Sequence, residues 1–132
     1  MLTTLRIVPL LILPLAFFAV FGTGVGWTKA EAFTWEMFSG ARWSASHGDL
    51  FVLVSLLVLF LEMVKSVNTT AREIINHGLS LMVAVVCLLL FVIVPSFTNS
   101  AFLQLTVIAF IDVVAGFVIT IVAARRDIGT SH

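Results

Sequence analysis

The chain has 132 residues, of which 61% are hydrophobic and 11% charged, against roughly 45–50% and about 25% in a soluble domain, so a water-soluble globule is excluded. Seven Lys/Arg balance seven Asp/Glu, which leaves no basic surface of the kind nucleic acid requires. The single cysteine, Cys87, lies in an apolar run, so neither an intramolecular disulfide nor a Cys-rich zinc site is available.

In chain order, the first element is a helix over residues 5–26. Ile7 to Thr28 carries no charge, and a hydrocarbon core of about 30 Å is crossed by about 20 apolar residues in helix. Pro9 and Pro14 fall inside it and predict a kink, which a membrane helix tolerates when neighbours or water satisfy the freed carbonyls. Thr28 and Glu31 then have capping-box spacing, with Gly40 as a helix stop, which predicts a short interfacial helix over 29–38. Trp27, Phe33, Trp35, Met37, Phe38 and Trp43 would be its interfacial anchor in the aromatic belt.

Leu50 to Leu61 is too short to cross alone, so helix two takes in residues 48–66 and carries acids near both ends. Thr70 and Glu73 form a second capping box, opening helix three over 71–94. Asn68-Thr69-Thr70 matches a glycosylation acceptor, read as a chance match because it falls on the cytoplasmic side. Gly78 to Ile111 is uncharged for 34 residues, too long for one span, and Pro95-Ser96-Phe97-Thr98-Asn99-Ser100 supplies the break before helix four over 101–124. The expected fold is therefore an all-α integral membrane protein. It is a single membrane domain, 1–132, with four transmembrane helices and a short interfacial helix between helices one and two.

Positive side chains in short loops favour the cytoplasm. Arg6, Lys65, Arg72, Arg125 and Arg126 fall on one side and Lys29 and Arg42 on the other, which puts both termini in the cytoplasm. The first segment also admits reading as a signal peptide, since Arg6 precedes an apolar run and Gly24-Val25-Gly26 offers small residues for cleavage. Cleavage would leave the other helices oriented as before.

The informative pattern lies in the polar stripes. Helix four repeats small or polar residues at spacings of three and four: Thr106, Ala109, Asp112, Gly116, Thr120 and Ala123. Membrane helices associate through such residues because they permit close backbone approach, so the stripe is a packing seam with Asp112 turned into the bundle. Helix three repeats Glu73, His77, Ser80, Ala84 and Cys87, and helix two carries Ser55, Glu62 and Ser66 with Lys65 adjacent. A rise of about 1.5 Å per residue places Asp112, Glu62, Ser80, Lys65 and His77 in one band from mid-membrane toward the cytoplasm.

An aspartate at a helix centre costs about 2.5–3.5 kcal/mol on insertion scales, and each Leu, Ile, Val or Phe returns about 0.3–0.6. The fourteen such residues of helix four outweigh it. Asp112, Glu62, His77, Lys65, Ser80 and Ser55 are thus a candidate intramembrane polar cluster. Two readings stand: interhelical bonds that fix register (Asp112 to Ser80 or Ser55, Glu62 to Lys65 or His77), or a proton or cation relay. His47 and Asp49 fall at the opposite face, which argues against a bis-histidine haem. The pentapeptides Phe60–Val64 and Phe110–Val114 share a pattern around their acids but are too short to establish a duplication.

Phosphate loops, nucleophile elbows and metalloprotease motifs are absent from the sequence, so an enzyme is not expected, nor a metal or cofactor. Small multidrug exporters carry a glutamate in their first helix, and this one has none. The stretch Ile111-Asp112-Val113-Val114-Ala115-Gly116-Phe117 through Ala123-Ala124-Arg125-Arg126-Asp127 resembles small four-helix inner-membrane proteins of alphaproteobacteria. That resemblance implies a bacterial inner-membrane location and brings no activity. The function expected is an accessory, assembly or adaptor subunit of a membrane complex. The alternative is a small homo-oligomeric channel or proton-coupled transporter. The bilayer and either a membrane-protein partner or a second copy are the expected partners.

Overall fold

A computed structural model describes residues 7–66 and 71–130. Arg6, the Asn68-Thr69-Thr70 acceptor and Thr70 of the second capping box lie outside them. Among the described residues, four helices and one two-stranded sheet follow in the order α1 (Ile12–Phe17), β1 (Glu31–Glu36), β2 (Arg42–Ser46), α2 (His47–Lys65), α3 (Ala71–Ile93) and α4 (Ser100–Thr130). α2, α3 and α4 are long and apolar enough to cross a membrane.

The first segment departs from the uninterrupted helix expected over 5–26. α1 has six residues and runs on as a π-turn over Phe18–Gly22. N-terminal to it, Val8 to Leu11 leaves helical conformation. The reason is the pair of prolines. Pro9 has no N–H to give, and Pro14 falls in the first turn of α1, where a missing N–H costs nothing. The helix therefore restarts at Ile12 instead of running through. Leu10 hydrogen-bonds Glu62 near one end of α2, and Trp27 stacks on His47 at the other. The broken segment thus lies along most of α2, antiparallel to it.

The interfacial helix expected over 29–38 is a β-hairpin instead. Glu31–Glu36 pairs antiparallel with Arg42–Ser46, Trp35 opposite Trp43 and Thr34 opposite Ser44. Phe33, Thr34, Trp35 and Trp43 are aromatic or β-branched, the residues that favour a pleated strand. Ser39-Gly40 closes the turn: Gly40 has φ +81°, and its N–H donates to Met37 O at 2.8 Å. The Gly40 read as a helix stop is the left-handed residue of a hairpin turn. Ser46 and Asp49 form a capping box instead, bonding reciprocally and opening α2.

α3 and α4 form an antiparallel hairpin through a short 3-10 turn, Pro95–Phe97, as the break predicted. α4 continues six residues past the expected 124, to Thr130. The thickness of a hydrocarbon core predicts an end near 124, but Arg125 to Ile128 contain neither Pro nor Gly and the helix runs on through them. Near the sheet the core is aromatic: Phe18 lies 5.1 Å from Phe51, 5.8 Å from Phe97 and 4.9 Å from Phe102, ring centre to ring centre. Toward the other end it turns polar.

Candidate functional site

Glu62 sits three residues before the end of α2, turned toward Leu10 and toward Asn76 of α3, and is fully buried. Its Oε1 lies 3.0 Å from Lys65 Nζ, one turn on. The same oxygen accepts from Asn76 Nδ2 at 2.8 Å, and Oε2 accepts from the main-chain N–H of Leu10 at 2.8 Å. Lys65 Nζ donates in turn to Val8 O at 2.9 Å and to Asn76 Oδ1 at 3.2 Å. An ion pair withdrawn from water is tolerable only when additional bonds satisfy its remaining lone pairs and protons. Here the opened backbone of the first segment supplies two of those bonds. The pair and the break therefore require each other: Val8 O and Leu10 N–H would otherwise be unpaired polar groups inside the bundle.

Asp112 is also buried, 3% exposed, midway along α4. Its carboxyl faces the Ser80 hydroxyl and lies within electrostatic reach of Glu62 and Lys65. Its Oδ2 has no hydrogen-bond partner. Ser80 Oγ donates to Asn76 O at 3.0 Å.

Two expected pairings are corrected. Ser55 does not reach Asp112; its hydroxyl donates to Phe51 O, four residues back, at 2.8 Å. A helical serine in an apolar layer can satisfy itself that way without any neighbour. His77 bonds α4 in place of Glu62: its Nε2 lies 3.0 Å from Thr120 Oγ1. The single band expected from depth thus divides into three groups: Glu62–Lys65–Asn76, Asp112–Ser80 and His77–Thr120.

The seam on α4 is occupied as its spacing implies. Thr106 and Ala109 are buried against the core. A Cβ added at Gly116 would come within 2.5 Å of His77 Nδ1, so the ring packs directly on the helix backbone. Thr120 donates to Gly116 O at 2.8 Å, and Ala123 is half-buried at the seam's end. Asn76 was missed by the stripe reading. It lies three residues after Glu73 and four before Ser80, the spacing that should have placed it on the same face.

Trp27 packs inward on Phe17, Phe18 and His47. Phe33, Trp35, Met37, Phe38 and Trp43 are all exposed on the hairpin, Phe38 fully so at the turn. On the same hairpin the Thr34 and Ser44 hydroxyls hold the Glu31 carboxyl below its ordinary value of 4.5.

Compared with known proteins, the chain matches no family model, no curated protein and no solved structure.

Proposed function

We propose that the chain is a non-enzymatic accessory, assembly or adaptor subunit of a bacterial inner-membrane complex, crossing the membrane with both termini cytoplasmic and acting by packing. One observation carries this reading. The ion pair inside the bundle, with Asn76 and His77, holds the chain's own elements together. Glu62 and Lys65 close on the broken segment, and His77 closes on α4. Leu57, Phe60 and Leu61 of α2, Met82 and Leu89 of α3, and Val107, Val114 and Val118 of α4 are exposed. Without a hydrophobic drive between helices in lipid, such faces serve as anchoring or as contact surface. The hairpin adds exposed Trp35 and Trp43, residue types enriched at membrane interfaces and at binding hot spots.

A second reading, a homo-oligomeric channel or proton-coupled transporter, draws support from the unpartnered Oδ2 of Asp112, since intramembrane acids mark proton relays. Purification in mild detergent separates the two. A foreign membrane protein at fixed stoichiometry is expected. A clean homo-oligomer with no companion would overturn the adaptor reading.

A further inference from the structure

The broken first segment and α2 do not close on each other along their whole length. Between them runs a cavity of about 530 Å³, walled by Leu13 and Phe17 on one side and Val54 and Val58 on the other, with Trp27 and His47 at the end nearest the sheet. Val54 and Val58 stand one turn apart and carry short side chains, which leaves that wall shallow. From His47 to Val58 the helix rises about 16 Å, so the cavity is a slot along the helix axis. Leu13, Phe17 and Val54 are exposed at the bundle surface. The slot therefore opens sideways, at the level of a helix long and apolar enough to cross a membrane.

Polarity is confined to one end. His47 is the titratable side chain in the lining, and its Nδ1 is buried with no hydrogen-bond partner among the described residues. A molecule with a polar head at that end supplies what the chain does not. The same end carries Lys29 and Arg42 against Glu31, Glu36 and Asp49, and hydroxyl donors favour the charged form of Glu31. That balance does not draw a free carboxylate, whereas a zwitterionic head is compatible with it. Spread over its length, the volume leaves the slot narrower than the about 10–12 Å of a helix with its side chains, which favours a flexible chain over a helix of a second copy.

We propose that the slot holds one acyl chain of a zwitterionic phospholipid from the leaflet on the hairpin side, with the ester region against the His47 imidazole. Its volume falls within the roughly 300–1,000 Å³ of small-molecule sites, whose walls are likewise apolar with a few polar groups that fix orientation. The site rests on α2 lying in a bilayer and is independent of the adaptor role.

Trp27 is the reporter once Trp35→Phe and Trp43→Phe remove the other two tryptophans. The protein, stripped of lipid in mild detergent, is titrated with phosphatidylcholine brominated in mid-chain. Trp27 emission should be quenched along a saturating curve at one lipid per chain. Val54→Phe and Leu13→Phe fill the slot from opposite walls, so a folding defect in one leaves the other to decide. Each should weaken binding about tenfold or more, and Leu53→Phe, beside the slot on the same helix, should bind as the parent does. His47→Phe keeps a ring against Trp27 and should weaken binding about two- to tenfold, the worth of one hydrogen bond. Quenching that rises in proportion to lipid without saturating, equal in all variants, would overturn the proposal. Displacement by oleate at far lower concentration than by unlabelled phosphatidylcholine would assign the slot to a free fatty acid instead. Quenching that disappears as more chains share each micelle would show that a second copy covers the slot. An affinity unchanged in His47→Phe would overturn the placing of the ester region. Because the titration reads neither orientation nor companions, its failure would leave the topology and the adaptor reading standing.

Discussion

Glu62 and Lys65 illustrate how a costly pair of residues becomes worth keeping. Each alone would be an unpaired charge in the bundle, and together they still need the Val8 carbonyl and the Leu10 amide to be satisfied. Removing one partner of a buried pair typically costs about 3–5 kcal/mol. Glu62→Gln should therefore lower stability by that order in SDS unfolding, and Lys65→Met by a similar amount. The double variant should be less damaged than the sum, with a coupling of about 1 kcal/mol or more. Additive losses would mean that the two side chains do not act as a pair. Glycines discriminate in the same way. Gly116→Ala drives a methyl to 2.5 Å from His77 Nδ1, whereas Gly78→Ala meets nothing within 4 Å. The first should cost about 1–3 kcal/mol by overpacking, and the second should be neutral or gain up to about 1 kcal/mol in helix propensity. Equal effects would show that His77 is not seated on the seam.

At the scale of elements, the hairpin rests on one backbone conformation and a few polar contacts. Gly40 at φ +81° adopts a geometry that costs an L-residue roughly 1–2 kcal/mol. Gly40→Ala should accordingly speed amide exchange across Glu31–Glu36 and Arg42–Ser46 while leaving α2 protected. Loss of protection in both would mean that the hairpin and α2 unfold as one unit. Glu31 adds a pH dependence whose sign is fixed. Hydroxyl donors from Thr34 and Ser44 favour its charged form and lower its value in the folded chain. Its stabilisation is therefore present above the ordinary 4.5 and is lost as pH falls below that through the lowered folded value. Trp43 emission should stay constant from neutrality to about pH 5 and change under stronger acid. Glu31→Gln should abolish that change, and an unaltered transition would assign it to another group.

For the molecule as a whole, the three long helices fix which ends lie together. The hairpin and the Pro95–Phe97 turn fall at one end, and the C-terminal end of α4 at the other. In a Cys87→Ala background, Ser39→Cys should react with an impermeant thiol reagent added to spheroplasts and Gly129→Cys should not. The reverse pattern would invert the proposed orientation, and equal reaction of both would deny that α2, α3 and α4 cross as a set.

Composition and periodicity by themselves determined the three long apolar helices, their approximate bounds, the break at Pro95, the seam on α4 and the inward placement of Asp112 and Glu62. These are local properties: a run of apolar residues and a spacing of three or four are complete in the sequence. They also pointed to Glu62 with Lys65, because residues three apart on a helix are neighbours whatever surrounds them. Residues 31–46 were legible too, in their aromatic and β-branched content and Ser39-Gly40, but capping-box spacing and a glycine stop favoured a helix. Pairing of Trp35 with Trp43 decided for strands, and that contact exists only once the chain has turned back. The tertiary structure alone decided how the prolines of the first segment act. A missing N–H says that the helix is weakened, whereas the acid and amine of α2 bonding to Leu10 and Val8 turn weakness into a stable break. It likewise divided one expected polar band into three groups. Each donor can be spent only once, and who spends it depends on distances that no spacing along a single helix contains.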